Sequence, residues 1–175
     1  QGKVILTVRD RPAPPTAVKA SVAGAGTARV SFTPGANNGA QIDHYEMTDV
    51  TTGQSYRCAT ALCEASGLRN GEEHAFTIRA HNEVGYSDPS AVSNYELIDA
   101  VPGKVPTPTV EAGDRELVVS WEPPHNEGSA ITRYTLSIAG VDGIRTQEVT
   151  STSAVVRGLR NGQSYTLSVV AHNKA

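Results

Sequence analysis

Hydrophobic and polar positions alternate along this chain with a period of two, the spacing that sends successive side chains to opposite faces of a β-strand. Leu117, Val119 and Trp121 share one parity against Val118 and Ser120, and Ala28, Val30 and Phe32 alternate with Arg29, Ser31 and Thr33. Phe76, Ile78 and Ala80 alternate with Thr77, Arg79 and His81, and Leu167, Val169 and Ala171 with Thr166, Ser168, Val170 and His172. No stretch carries a convincing helical period. Asn38-Gly39, Thr52-Gly53, Asn70-Gly71, Asp142-Gly143 and Asn161-Gly162 punctuate these runs with residues that tolerate positive φ and favour tight turns. The pattern predicts strands at 17–23, 27–33, 41–49, 54–59, 62–67, 73–82 and 86–97, then at 107–112, 115–122, 131–139, 144–150, 153–158 and 163–173. Many short strands separated by turn pairs mean an all-β sandwich.

The pattern also repeats. Ser31-Phe32-Thr33-Pro34 aligns with Ser120-Trp121-Glu122-Pro123, Gly67-Leu68-Arg69-Asn70-Gly71 with Gly158-Leu159-Arg160-Asn161-Gly162, and Ala80-His81-Asn82 with Ala171-His172-Asn173. A length of 175 residues suits two such units, since one sandwich takes about 100 residues.

Trp121 on the second strand, Tyr134 on the third, and Leu159-x-x-Gly162-x-x-Tyr165 before the sixth resemble the fibronectin type III pattern, and the resemblance spans nearly the whole chain. Asn82-x-x-Gly85-x-Ser87-x-Pro89-Ser90 is similar to that family's passage from sixth to seventh strand. The resemblance implies two immunoglobulin-like sandwiches in tandem, with a Trp and a Tyr between the sheets and a tyrosine corner whose hydroxyl bonds nearby backbone. The first copy departs from it, carrying Phe32 for Trp121 and His74 for Tyr165. The His74 imidazole can make the backbone hydrogen bond in place of the tyrosine, or swing to solvent.

The expected organisation is a leftover upstream strand or linker at 1–11, a first domain at 12–99, a Pro-rich linker at 100–106 and a second domain at 107–175. Three prolines, Pro102, Pro106 and Pro108, make the connection short and stiff. The run from Lys3 to Arg9 alternates, with Val4, Leu6 and Val8 on one face. The second copy stops at Asn173-Lys174-Ala175, so its last strand is expected to be missing. A bare strand edge is sticky, and strand exchange through Val4, Leu6 and Val8 of another copy is one way to fill it. The chain opens on Gln1 and its only methionine is Met47, so the native start and any targeting or anchoring segment are expected to lie outside it.

A formal charge of −3, from 15 basic and 18 acidic residues spread along the chain, provides no basic patch for nucleic acid. No apolar run reaches the roughly twenty residues of a membrane span. No Gly-x-Ser-x-Gly elbow, phosphate loop or dinucleotide fingerprint is present, so neither a catalytic site nor a cofactor is expected. Glu72-Glu73 sits at a turn and lacks the facing geometry of a glycosidase pair.

Cys58 and Cys63, with four residues between them, suit a local disulfide given the extracellular habit of the family; two free thiols or half a metal site are the alternatives. Zinc would need more ligands, and His44, His74 and His81 lie on other strands. His81 and His172 occupy equivalent positions and read as polar face residues. Glu96, Asp99 and Asp114 are too scattered for calcium. The expectation is a non-catalytic extracellular or cell-surface protein-binding or adhesion module of bacterial style. It would contact a host-surface, matrix or cytokine-like protein through the loops 35–40, 83–89 and 125–130 or an exposed sheet face, the alternative being a rigid spacer presenting another domain. Neither copy has Arg-Gly-Asp before its last strand, which excludes that adhesion mode.

Overall fold

A computed structural model of the chain describes residues 2–175, none of them helical. The chain divides into two units between Ile98 and Asp99. In the first, β1 (Thr16–Gly24), β2 (Thr27–Thr33) and β5 (Leu62–Ser66) form an antiparallel sheet in the order β1-β2-β5. The facing sheet runs β4-β3-β7-β8, from β3 (His44–Asp49), β4 (Ser55–Cys58), β7 (Phe76–Asn82) and β8 (Gly85–Tyr86). Two short strands, β6 (Glu73–His74) and β9 (Glu96–Leu97), pair with each other. The second unit repeats the plan with β10 (Thr109–Gly113), β11 (Glu116–Ser120) and β14 (Ser153–Arg157) in one sheet, and β12 (Arg133–Gly140), β13 (Gly143–Val149) and β15 (Thr166–His172) in the other.

Inward-facing residues of both sheets meet to form each core, as the alternation requires. Val30, Met47, Phe76, Ile78 and Ile98 are fully buried in the first unit, and Val119 and Leu136 in the second. Phe32 packs edge-on to Tyr45 with ring centroids 4.8 Å apart, and Trp121 to Tyr134 at 5.4 Å. Such pairs contribute about 0.5–1.5 kcal/mol beyond their buried area. Cys58, at the end of β4, is bonded to Cys63 in β5, so the disulfide joins the two sheets. Closing so short a loop limits the unfolded chain by about 2 kcal/mol.

The expected strand 86–97 is strand only at its two ends. Between them Ser87, Ser90 and Ser93 recur every third residue against every second residue of β7. Each serine amide donates to a β7 carbonyl, Ser87 to Ala80, Ser90 to Ile78 and Ser93 to Phe76. Each serine hydroxyl in turn accepts the amide of that same β7 residue, at 2.9–3.0 Å. Three residues matched to two make a repeated bulge, in which the side-chain oxygen replaces the backbone acceptor that the bulge moves out of reach. The expected 73–82 strand is likewise interrupted, at Ala75, whose carbonyl accepts the Val50 amide.

In the second unit β15 stands at the edge of its sheet with no strand beyond it among the described residues. Leu167 and Val169, which align with the buried Phe76 and Ile78, are only half-buried.

The alternating run 3–9, expected as a leftover strand or a linker, forms no strand. Val4, Leu6 and Val8 are more than four-fifths exposed, at 81%, 86% and 88%. An apolar face makes a strand only where a neighbouring edge supplies hydrogen bonds and cover. The next residues are tied down: the Asp10 amide donates to Asn38 O, the Ala13 amide to Ala36 O, and the Asn82 side chain to Asp10 O. Gly39 is required here, because φ is +87° and a Cβ would stand 2.6 Å from Val8 O. The stretch 100–106, expected to be a linker, is built into the second unit in the same way. The Ala100 amide donates to Glu127 O, Gly103 to His125 O and the Asn173 side chain to Ala100 O, and Val105 enters the core.

Replacing Ser90 by Ala leaves the buried Ile78 amide without its acceptor and should cost about 1–3 kcal/mol in urea unfolding. The exposed Val92→Ala change, two residues away, should stay within about 0.5 kcal/mol.

Candidate functional site

Four polar or aromatic side chains converge at one end of the β4-β3-β7-β8 sheet. His44, the first residue of β3, lies directly opposite His81 of β7 in the ladder. Directly opposed side chains on one face stand close enough to touch, and the two imidazoles lie 4.5 Å apart, tilted by 34°. Tyr86 of β8 is the next neighbour, opposite His81, with its ring 4.5 Å from His81 and edge-on to His44. Asp43 precedes β3, where its amide closes the ladder on His81 O. Its carboxylate accepts His81 Nδ1 at 2.9 and 3.1 Å and also meets His44 Nδ1. His44 Nε2 is held by the Tyr86 hydroxyl at 3.1 Å. The hydrogen bond from His81 holds the Asp43 carboxyl below its ordinary range, against a smaller upward push from desolvation, and His44 adds to the lowering. His44 is buried, His81 half-buried and Asp43 exposed, so the cluster opens to solvent on the carboxylate side.

Alternation along each strand does not reveal this meeting, because it requires the pairing register. The second unit lacks the arrangement. Arg133 stands opposite His172, and His172 Nε2 bonds Thr135 Oγ1 at 2.8 Å. The equivalence of His81 and His172 in the repeat therefore does not extend to a shared site.

A second polar group is buried inside the first sandwich. His74 does neither of the two things expected of it, since its Nδ1 meets Asp49 Oδ2 at 2.8 Å, with His74 1% and Asp49 0% exposed. Asp49 also accepts the Thr51 amide at 2.9 Å and the Thr52 hydroxyl at 2.7 Å. Burial pushes its carboxyl up, but the bonds from Thr52, His74 and Thr51 together outweigh it and leave the pKa below the ordinary 3.8. In the second unit the aligned residues are Ile138 and Tyr165. There the Tyr165 hydroxyl accepts the Arg160 amide at 2.9 Å, the expected tyrosine corner. Its ring lies against Gly140, where a Cβ would come within 2.4 Å of it. The two copies thus differ by a compensated pair, Asp49 with His74 for Ile138 with Tyr165. That paired difference is the sequence signal that points to the buried contact.

The Glu72-Glu73 pair shows no facing geometry: Glu72 pairs with Arg69 at 3.5 Å and stands 4.0 Å from His74 Nε2, while Glu73 is exposed. The loop 35–40 is braced by residues 10–13, Glu83 pairs with Arg9, and the loop 125–130 is held by Ala100 and Gly103.

Two sandwiches with this strand order, a Trp/Tyr or Phe/Tyr pair between the sheets and a tyrosine corner define immunoglobulin-like β modules. A family model, the Fibronectin type III domain, matches residues 13–96 and 103–175, and the chain belongs to that family. It is 28% identical over 115 residues to a Kelch domain-containing protein of Saccharolobus solfataricus, covering 62% of this chain and 15% of that protein. A Kelch domain-containing protein of Sulfurisphaera tokodaii is 31% identical over 110 residues, covering 61% and 14%. The human Fibronectin type-III domain-containing protein 3A is 28% identical over 89 residues, 50% of this chain and 7% of its own. The chain spans less than a sixth of the length of each of these relatives. Among solved structures, the chicken CNTN1 FN1-FN3 domains align over 94% of this chain and 62% of theirs at 18% identity and a TM-score of 0.48. The two-domain segment of chicken tenascin aligns over 91% of both chains at 17% and 0.44. Fibronectin type III domains are often extracellular binding or spacer modules and are generally not catalytic, and a disulfide is typical of extracellular proteins. Among the described residues no helix is long and apolar enough to cross a membrane.

A carboxyl whose pKa is lowered in the folded state contributes stability that is complete above its unfolded value near 4 and is lost as pH falls through the folded one. Asp49→Asn should therefore destabilise the first domain by about 1–3 kcal/mol at pH 7, with the difference from wild type narrowing at pH 3 in urea titrations. An equal difference at both pH values would show that the ionised carboxylate is not what stabilises the pair.

Proposed function

We propose that this chain is a non-catalytic, extracellular protein-binding module whose contact surface is the outer face of the β4-β3-β7-β8 sheet. The observation that carries this reading is the composition of that face. Glu46 stands between Arg57 and Arg79 on its two neighbouring strands, and the next row on the same face is His44, His81 and Tyr86. Tyr and Arg are the residues on which binding energy concentrates at protein interfaces, and a charged row of fixed register sets orientation and association rate. The disulfide and the serine bonds along β7 hold this sheet in place from both sides, which keeps the ordering cost of binding low. The partner this face suits is a folded secreted or surface protein, such as a host-surface, matrix or cytokine-like protein, with an acidic rim to meet Arg57 and Arg79. A surface location on a bacterial cell is part of the same proposal.

The exposed Val4, Leu6 and Val8 and the open edge of β15 support a further proposal, self-association by strand addition between copies. Sedimentation should then show dimers that Leu6→Lys abolishes. A chain that stays monomeric at all concentrations would exclude it.

The binding face is tested by surface-immobilising the chain and passing purified secreted and surface proteins over it. A partner retained by wild type should lose at least about tenfold in affinity on combined Arg57→Ala and Arg79→Ala substitution, and little on changes in the loop 125–130. Failure to retain any protein would favour the spacer reading.

A further inference from the structure

The geometry points to a divalent transition-metal site formed by Asp43, His44 and His81. One ligand atom from each of the three residues lies within 4.8 Å of the other two, and the Nδ1 atoms of both rings reach the same Asp43 oxygen. An ion bonded at about 2.0–2.1 Å to each ligand needs them roughly 3.3 Å apart in tetrahedral geometry, so small side-chain adjustments complete the set.

Three features distinguish this from an ordinary polar cluster. Both imidazoles present the same nitrogen, Nδ1, to a single carboxylate. A single cation can occupy the place the two ring hydrogens now share, each ring then carrying its proton on Nε2. The orienting group for one ring is already present, since the Tyr86 hydroxyl sits 3.1 Å from His44 Nε2 and can accept a hydrogen bond from its N–H. Ligating histidines are held in this way by a partner on their second nitrogen. The backbone is also fixed, because His44 and His81 are ladder partners and the Asp43 amide bonds His81 O at 2.9 Å. A rigid ladder keeps the two rings in place before an ion arrives.

Two imidazoles and one carboxylate favour zinc, copper, nickel or iron over calcium and magnesium, which prefer all-oxygen cages. The exposed carboxylate side leaves the remaining coordination positions to water or to a donor from another molecule. The register that aligns the charged row of the outer face also places this site in the next row, two residues along β3 and β7, but binding of the ion needs no protein partner.

Titration calorimetry of the full chain with Zn2+ tests the site, with His125→Ala as an off-site control, since His125 pairs with Glu127 on an exposed loop of the other unit. Wild type and His125→Ala should each take up one ion per chain at this site and gain thermal stability from it. His81→Ala and Asp43→Asn should lose that uptake and that gain. Tyr86→Phe, which keeps all three ligands, should bind about 10–100-fold more weakly; it decides the matter if either ligand variant fails to fold. Absence of zinc uptake by wild type, uptake unchanged in His81→Ala and Asp43→Asn, or unchanged affinity in Tyr86→Phe with both ligand variants unfolded would overturn the assignment.

Discussion

Everything else in the first sandwich depends on one contact, the edge-on packing of Phe32 from one sheet against Tyr45 from the other. With Tyr45 committed to the core, its neighbours His44 and Glu46 take the opposite face, because a strand cannot turn two adjacent side chains the same way. Tyr45 is paired with Ala80, another core residue, which brings His44 opposite His81 and Glu46 opposite Arg79. A slip of one residue would turn the histidines inward and the tyrosine outward. The outer face is thus a by-product of the core, and its chemistry is as rigid as the packing behind it. Trp121 and Tyr134 play the same part in the second sandwich, but there the register places Arg133 beside His172 and no carboxylate follows the aspartate's place.

The first sandwich also replaces a hallmark of the second by a different set of hydrogen bonds. A buried carboxylate is costly unless it is hydrogen-bonded. Asp49 meets that condition through Thr51, Thr52 and His74, all from the turn after β3 or the facing short strand. The tyrosine corner of the second unit reaches a similar end with one hydroxyl and one amide. In both, a side chain from the approach to the sixth long strand anchors the loop before or beside it. The serine series at 87, 90 and 93 extends the same logic to a sheet edge, satisfying β7 amides by side chains where regular pairing is abandoned.

Membership of the fibronectin type III family defines the scaffold and leaves the chemistry to the surface, since one fold carries many unrelated sites. The features that set the first unit apart from the second are few and local: a disulfide between sheets, a row of alternating charge across β4, β3 and β7, and a cluster of two histidines, an aspartate and a tyrosine in the row beside it. All lie in the first unit.

The amino-acid sequence alone determined most of the strands, the duplication and the aromatic hallmarks, because these rest on periodicity and on spacing within a few residues, and it made a Cys58–Cys63 disulfide the first of three readings. It also exposed the departures at Phe32 and His74, which the internal repeat makes visible without any relative. It did not reveal that residues 3–9 lack a strand or that 87–93 is a serine-bonded bulge, since alternation signals a face and not the presence of a partner edge. Asp49 beside His74, and Asp43 beside His44 and His81, were decided only by tertiary structure. Their members are 25 and 38 residues apart, and separations of that kind are closed by strand register, which follows from the whole core at once and from no local pattern.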